Sequence, residues 1–232
     1  MKLTFVGATH LGSTLAEAAR IRGFETASDL ADGEVIFVTP DVQDHNYLGK
    51  VEEYMTWAAR LPTSAPIVLV SQVPPGYTRK WLGCIPEGRL YYQVDTIIMN
   101  CALLRATFPE RFVVGSAAGR GVSAAYWDYL RAFDCSAIEM SYESAEMVKL
   151  AVNYYLAKQI EATNDLFRAA QFAGADWASV ERGVRGDKRI GAYTQPGNPN
   201  DHLLRDVRTI ERFLHAQNGG RGEYGRVSFT VA

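Results

Sequence analysis

The first 24 residues constrain the fold more than any other stretch. Leu3 to Phe24 read as a short apolar strand, a glycine turn Gly7-Ala8-Thr9-His10-Leu11-Gly12, and an amphipathic helix that ends at Gly23. In such a turn the backbone N–H groups can approach a pyrophosphate, whose charge is favoured at a helix N-terminus. The opening therefore argues for bound NAD. The usual pattern is Gly-x-Gly-x-x-Gly, and Thr9 stands where the second glycine belongs. Its side chain either crowds the phosphates or offers them a hydroxyl. Asp29 lies seventeen residues after Gly12, close to the spacing of roughly 20 expected for the carboxylate that binds the adenosine ribose. An acid there favours NAD over NADP. The plain alternative is a strand-helix turn that binds nothing.

Apolar strands recur along the following residues. Glu34 to Thr39, Pro66 to Ser71, Arg89 to Tyr92, Arg111 to Val114 and Ala137 to Met140 have strand composition, with a helix near residues 46 to 60. Pro74 and Pro75 stop the ladder after the third strand, and Gly76 permits a turn. Continuous apolar strands between helices predict a parallel sheet covered on both faces. From about Glu143 to Ala173 the pattern changes to one long helix, with Met147, Leu150, Tyr154, Ala157 and Ile160 at steps of three or four. It ends at Gly174. Helices are expected to begin at Asp176, a good N-cap residue, and at Asp201, after Pro196-Gly197-Asn198-Pro199. Arg226 to Val231 has the composition of one more short strand, after a glycine-rich segment at residues 218 to 222. The expected fold is thus α/β: a Rossmann-like parallel sheet over residues 1–142, then an all-helical domain over 143–232 that contains one long helix.

Bulk properties narrow the functional classes. A net charge of -2, with no stretch of five or six like charges, gives no electrostatic basis for a nucleic-acid groove or an anionic-membrane patch. No apolar run approaches the length of a bilayer span, and the chain enters its first strand without a signal-like core, so a cytoplasmic protein is expected. Cys84, Cys101 and Cys135 are widely spaced with no histidine nearby. They read as buried small hydrophobes rather than a disulfide frame or metal ligands.

The candidate chemistry lies at the start of the long helix. Glu146, Lys149 and Asn153 are three and four residues apart and project from one helix face. On spacing alone the plain reading is a solvated Glu-Lys pair worth a few tenths of a kcal/mol. The functional reading is a cation and an amide donor that would stabilise a developing alkoxide as hydride leaves.

Four segments, taken together, resemble the UDP-glucose/GDP-mannose dehydrogenase family. They are the Gly7 to Gly12 turn, Ser71-Gln72-Val73-Pro74-Pro75-Gly76, Pro109-Glu110-Arg111-Phe112-Val113-Val114-Gly115, and Ala145-Glu146-Met147-Val148-Lys149 through Asn153 to Arg189-Ile190-Gly191. The match reads as a chain truncated after the family's central helical domain. The resemblance implies that Lys149 and Asn153 bind and polarise the oxygen at the reacting carbon. It places Gly7, Thr9, His10, Leu11, Gly12, Asp29, Pro40 and Gln72 against NAD. It also implies a homodimer built on the long helix and a sugar or sugar-nucleotide substrate.

Departures from the family pattern shape the expected reaction. The threonine that follows serine in the family's Ser-Thr-Val-Pro turn is Gln72. The family's Pro-Glu-Phe-Leu-x-Glu segment falls on Val94 to Met99, where Asp95 is a shorter candidate base and Met99 cannot ionise. The family's glycine-rich loop and its cysteine fall on Gly197 to Asp206: His202 takes the cysteine's place, while Arg205 and Asp206 keep the basic-acidic ending. That cysteine holds the aldehyde covalently, and imidazole is a poor substitute for a thiolate. Two-electron alcohol-carbonyl chemistry is therefore expected, with Asp95 or His202 managing the proton. A lone histidine at a helix start more often caps or packs. Residues 26–29 admit two placements, because they can also match a later family strand, and Asp29 would then not be the ribose ligand. Two other readings stand beside the dehydrogenase: a non-catalytic nucleotide-binding or interaction protein from the same family, and an epimerase-like transient oxidation without net NADH.

Overall fold

Seven strands make one sheet: β1 (Lys2–Val6), β2 (Glu25–Thr26), β3 (Val35–Val38), β4 (Ile67–Leu69), β5 (Leu90–Gln93), β6 (Arg111–Ser116) and β7 (Ser136–Ser141). Their spatial order is β2-β1-β3-β4-β5-β6-β7. The computed structural model describes residues 1–7, 9–27, 31–40, 47–95, 97, 99–117, 121–188, 190 and 201–218. Two compact units divide at the long helix, Met1–Lys149 and Leu150–Ala232. The segment from Arg226 to Val231, read above as strand-like, lies outside the described residues.

The sheet of the first unit is buried on both faces, and strand alternation decides which residue goes where. Ile36, Val38, Ile67, Leu69, Leu90 and Tyr92 face one side, against Val51, Met55 and Ala58 of α2 (Tyr47–Ala59). Val35, Phe37, Val68, Val70 and Tyr91 face the other. There they meet Leu15, Ala18 and Ala19 of α1 (His10–Ile21), Ala106 of α3 (Ala102–Thr107), and Tyr126, Tyr129 and Leu130 of α4 (Ala124–Arg131). Phe37 lies 4.7 Å from Tyr129 between ring centroids. This double cover is why β3 and β4 read as unbroken apolar runs.

Two features depart from the expected sheet. β5 and β6 run antiparallel, pairing Tyr92 with Gly115, whereas the other neighbours are parallel. An alternating apolar pattern looks the same in either direction, so periodicity carries no sign of strand direction. β2 is two residues long and not apolar, yet it pairs in parallel with β1, Lys2 opposite Glu25 and Leu3 opposite Thr26. The cysteine reading is corrected as well. Cys84 is exposed at the end of the 3-10 turn Thr78–Gly83, and Cys101 and Cys135 are half-buried. All three are free thiols, and the burial expected of the residue type did not carry over to loop positions.

The long helix α5 (Tyr142–Phe172) begins in the first unit and runs into the second, where it ends as Gly174 adopts φ +69°. Asp176 caps α6 (Trp177–Arg185) by accepting from the Ser179 N–H at 3.0 Å. Ala157 and Ile160 of α5 pack on Leu203 and Val207 of α7 (Asp201–Asn218). Of the expected stripe, Leu150, Ala157 and Ile160 are buried, whereas Met147 is 40% exposed.

One glycine fixes how closely α1 approaches the sheet. A Cβ on Gly12 would lie 2.5 Å from Thr39 Oγ1 and 2.6 Å from the Gly7 carbonyl oxygen. Alanine favours a helix interior over glycine by about 1 kcal/mol, but the carbonyl is backbone and cannot swing aside. Gly12→Ala is expected to lower stability by a net of about 1 to 3 kcal/mol, read as a shifted urea midpoint; an unchanged midpoint would show that α1 is not held this close.

Candidate functional site

Two strand ends, those of β1 and β3, meet at the glycine turn. The chain leaves β1 through Gly7, at φ +112°, and enters α1 at its N-cap Thr9. Thr9 Oγ1 accepts from the Gly12 N–H at 3.0 Å and donates to the Thr39 carbonyl at 2.7 Å. Thr39 Oγ1 in turn donates to the Val6 carbonyl at 3.0 Å. The Thr9 hydroxyl is therefore used inside the turn, as a helix cap and a tie to β3, and is not offered outward. The amides of His10 and Leu11 belong to the first turn, where no intrahelical acceptor exists. His10 itself is exposed, and Leu11 is half-buried.

β1 connects through α1 to β2 on one side, and β3 connects through α2 to β4 on the other. The carboxyl ends of β1 and β3 thus flank a topological switch point, where α/β sheets bind ligands. Pro40, buried, follows β3 at this point. Gln72 follows β4 and is buried, with no hydrogen-bond partner for its Oε1 among the described residues. Asp29 lies outside the described residues.

A second group of polar side chains is fixed by the first turns of α5. Glu146 is fully buried and Lys149 is 8% exposed, which overturns the solvated Glu-Lys pair as a reading. The two do not satisfy each other. Glu146 accepts from the backbone N–H of Gly76 at 2.6 Å and of Thr78 at 2.7 Å, so its carboxylate holds the turn after β4. Lys149 Nζ donates to the Asp95 carbonyl at 2.6 Å and lies 3.6 Å from Asp95 Oδ2. Asp95 follows β5, and its Oδ1 accepts from the Ile97 N–H at 2.8 Å. Lys149 and Asp95 are thus brought together at the carboxyl end of the sheet.

The second unit holds the remaining polar contact. Asn153 Nδ2 donates to Asp206 Oδ2 at 2.5 Å, and Arg205 Nε donates to Asp206 Oδ1 at 3.1 Å. Asn153 and Asp206 are both buried. His202 lies in the first turn of α7, and its side chain lies outside the described residues. Sequence reasoning gave no role to Thr39 and kept Asp206 only as part of a motif ending. It paired Glu146 with the wrong partner, because helix spacing shows which residues share a face and not which loop meets that face.

Residues 143–212 match the model of the UDP-glucose/GDP-mannose dehydrogenase family, central domain. A UDP-glucose 6-dehydrogenase of Pseudomonas aeruginosa is 29% identical over 215 residues, covering 82% of this chain and 47% of that protein. Over residues 143–212 the chain thus matches that family's central domain, and most of its length is similar to a family member. The UDP-glucose 6-dehydrogenase TuaD of Bacillus subtilis is 38% identical over 82 residues, 35% of this chain and 18% of that one. The chain spans about half the length, or less, of these family relatives. Among solved structures, the UDP-glucose dehydrogenase of Pyrobaculum islandicum superposes with a TM-score of 0.76 at 21% identity, over 94% of this chain and 64% of that one. A GDP-mannose dehydrogenase of Pseudomonas aeruginosa gives 0.70 at 17% identity, over 94% of this chain and 65% of that one. These similarities establish a fold shared with the family: a Rossmann-like sheet followed by helices.

The two glutamates of α5 respond to pH with opposite signs. Arg79 makes a two-pronged hydrogen bond to Glu143 and holds its carboxyl down at about 2. A depressed value means that this pair's contribution is complete above the ordinary glutamate value of 4.5 and is lost as pH falls toward 2. For Glu146, burial raises the carboxyl above 4.5, opposed by the bonds from Thr78 and Gly76. Its ionisation therefore costs stability as pH rises from 4.5 through the raised value. Arg79→Met is expected to lower stability above pH 4.5 and by progressively less as pH falls toward 2, so that the acid limb flattens, as read by urea unfolding from about pH 2 to 7. A parallel downward shift at all pH values would show that the pair does not set the acid limb.

Proposed function

We propose that the protein is an NAD-linked oxidoreductase that interconverts an alcohol and a carbonyl on a sugar or sugar nucleotide. The observation that carries this reading is the Lys149 ammonium, buried at the carboxyl end of β5 and held by Asp95. The residues at the switch point fit a dinucleotide. Gly7 and Gly12 keep the turn free of side chains that would meet backbone, and the first-turn amides of α1 face an incoming pyrophosphate. Gly7, Thr9, His10, Leu11 and Gly12 would hold the phosphates, with Pro40 and Gln72 beside them. The parallel pairing of β2 with β1 supports Asp29, three residues after β2, as the ribose carboxylate. When bound, the nicotinamide supplies the hydride acceptor.

The chain's own groups do the rest. The Lys149 ammonium and the Asn153 amide, four residues apart on an unbroken helix, steady the oxygen as charge develops on it. Asp95 or His202 takes the proton. With histidine where the family's cysteine falls, imidazole is a poor substitute for a thiolate that would hold an aldehyde, and the reaction is limited to two electrons. Exposed Tyr155, Leu166 and Phe172 on α5 support a homodimer built on that helix. An NAD-linked activity of this kind belongs in the cytoplasm.

A non-catalytic nucleotide-binding or interaction protein is the second reading, favoured by one observation: the Thr9 hydroxyl already occupies the Gly12 amide. Calorimetric titration with NAD separates the two, and absence of binding at millimolar NAD would exclude the first. Thr9→Gly releases that amide at a stability cost of a few tenths of a kcal/mol. A released donor to a charged phosphate should tighten NAD binding by roughly tenfold.

Turnover is the sharper test. With a panel of UDP- and GDP-sugars, Lys149→Met should lower kcat by about 100-fold or more and leave the Kd for NAD unchanged. Equal kcat in the two proteins would remove Lys149 from the chemistry. Isotope exchange at the reacting carbon without net NADH would instead indicate the epimerase-like course.

A further inference from the structure

We propose that Glu146 is a positioning residue that sets the turn after β4, and through it the Gln72 carboxamide, in register with the Lys149 helix; its consequence for ligand binding rests on the reading under Proposed function. The carboxylate is fully buried and accepts from two backbone amides in the same turn, Gly76 and Thr78. Charge-assisted bonds to two amides two residues apart fix both the position and the tilt of the segment that bears them. Gly76 has φ +87°, so the turn adopts a backbone that the sheet does not impose. The exposed Arg79-Glu143 pair joins the same two elements from outside.

The segment so held carries the groups that ask for a ligand. Gln72 Oε1 and Ser71 Oγ are buried with no hydrogen-bond partner among the described residues. A buried acceptor left unmet is costly, and a donor arriving with a ligand relieves that cost. Three residues further along α5, Lys149 reaches the loop after β5. One helical turn therefore grips two neighbouring strand-end loops, Glu146 the first and Lys149 the second. The groups that act on Glu146 are the amides of Gly76 and Thr78, Arg79 and Glu143; burial raises its carboxyl and the amide bonds oppose that rise.

The test uses the full chain and the near-isosteric Glu146→Gln. An amide side chain can accept from one backbone N–H, but its own NH2 then faces the other. Amide hydrogen exchange at Gly76 and Thr78 should accelerate at least about tenfold, with Ile36 and Val70 as unchanged controls. The Gln72 side-chain amide resonances should move with it. NAD affinity in a double-mutant cycle with Gln72→Ala should be non-additive, the double variant binding no more weakly than Glu146→Gln alone, because a displaced carboxamide has nothing left to lose. A purely structural role would give additive effects. Should Glu146→Gln fail to fold, Glu146→Asp, shorter by one methylene, is expected to hold one of the two amides and release the other. Unchanged exchange and unchanged Gln72 resonances, or an additive cycle, would overturn the proposal. Faster exchange in a protein that never binds NAD would leave the positioning role standing and remove the dehydrogenase reading instead.

Discussion

Two ionic groups one helical turn apart, both taken out of water, set the terms for the carboxyl edge of the sheet. A buried carboxylate and a buried ammonium each carry a desolvation cost that only specific partners can offset. Glu146 and Lys149 are close enough along the helix to pair with each other, and they do not. The carboxylate takes two amides from the turn after β4, and the ammonium takes a carbonyl and a carboxylate from the loop after β5. Each charge is thus compensated only if a particular loop is in place. The two loops also place Val73, Tyr77 and Val94 in the core, and the buried charges add polar ties that fix their paths further.

The glycine turn is governed by a different balance. A family glycine at position 9 would leave the Gly12 amide for a ligand; threonine uses that amide to cap α1 and uses its own proton to tie the turn to β3. The same hydroxyl therefore adds order to the empty turn and competes with an incoming phosphate for one donor. The His10 and Leu11 amides and the helix dipole are untouched by this exchange. The substitution weakens one contact of the cradle without filling it, because the shape is set by Gly7 and Gly12, where a Cβ would strike backbone.

Much of the fold could be read from the chain because burial on two faces leaves an unmistakable mark. β3, β4, β5, β6 and α5 follow from apolar runs and a helical stripe, and the breaks at Gly23, Gly76 and Gly174 fall where positive φ is required. What escaped has a physical reason in each case. β2 is held by ladder bonds to β1 and buries little, so it has no apolar signature. The reversal of β6 leaves alternation intact. Among the candidate polar groups, Lys149, Asn153 and Asp95 stood out by residue type and by family resemblance, but the partner of each depended on loop paths. Asn153 meets Asp206 across 53 residues of chain, and Glu146 meets Gly76 across 70. No local spacing encodes such a contact.

Whether Lys149 can serve an incoming oxygen turns on how its protons are already used. An ammonium has three donors and no acceptor. The Asp95 carbonyl takes one at 2.6 Å, and Asp95 Oδ2, at 3.6 Å, is within ion-pair range but too far for a good hydrogen bond. The carboxylate thus lowers the cost of burying the charge while leaving donor capacity in hand. A lysine paired at full hydrogen-bonding distance to both Asp95 oxygens would be a structural strut. Among the described residues this one is neutralised by position and only partly spent in bonds, an arrangement compatible with a second oxygen acceptor.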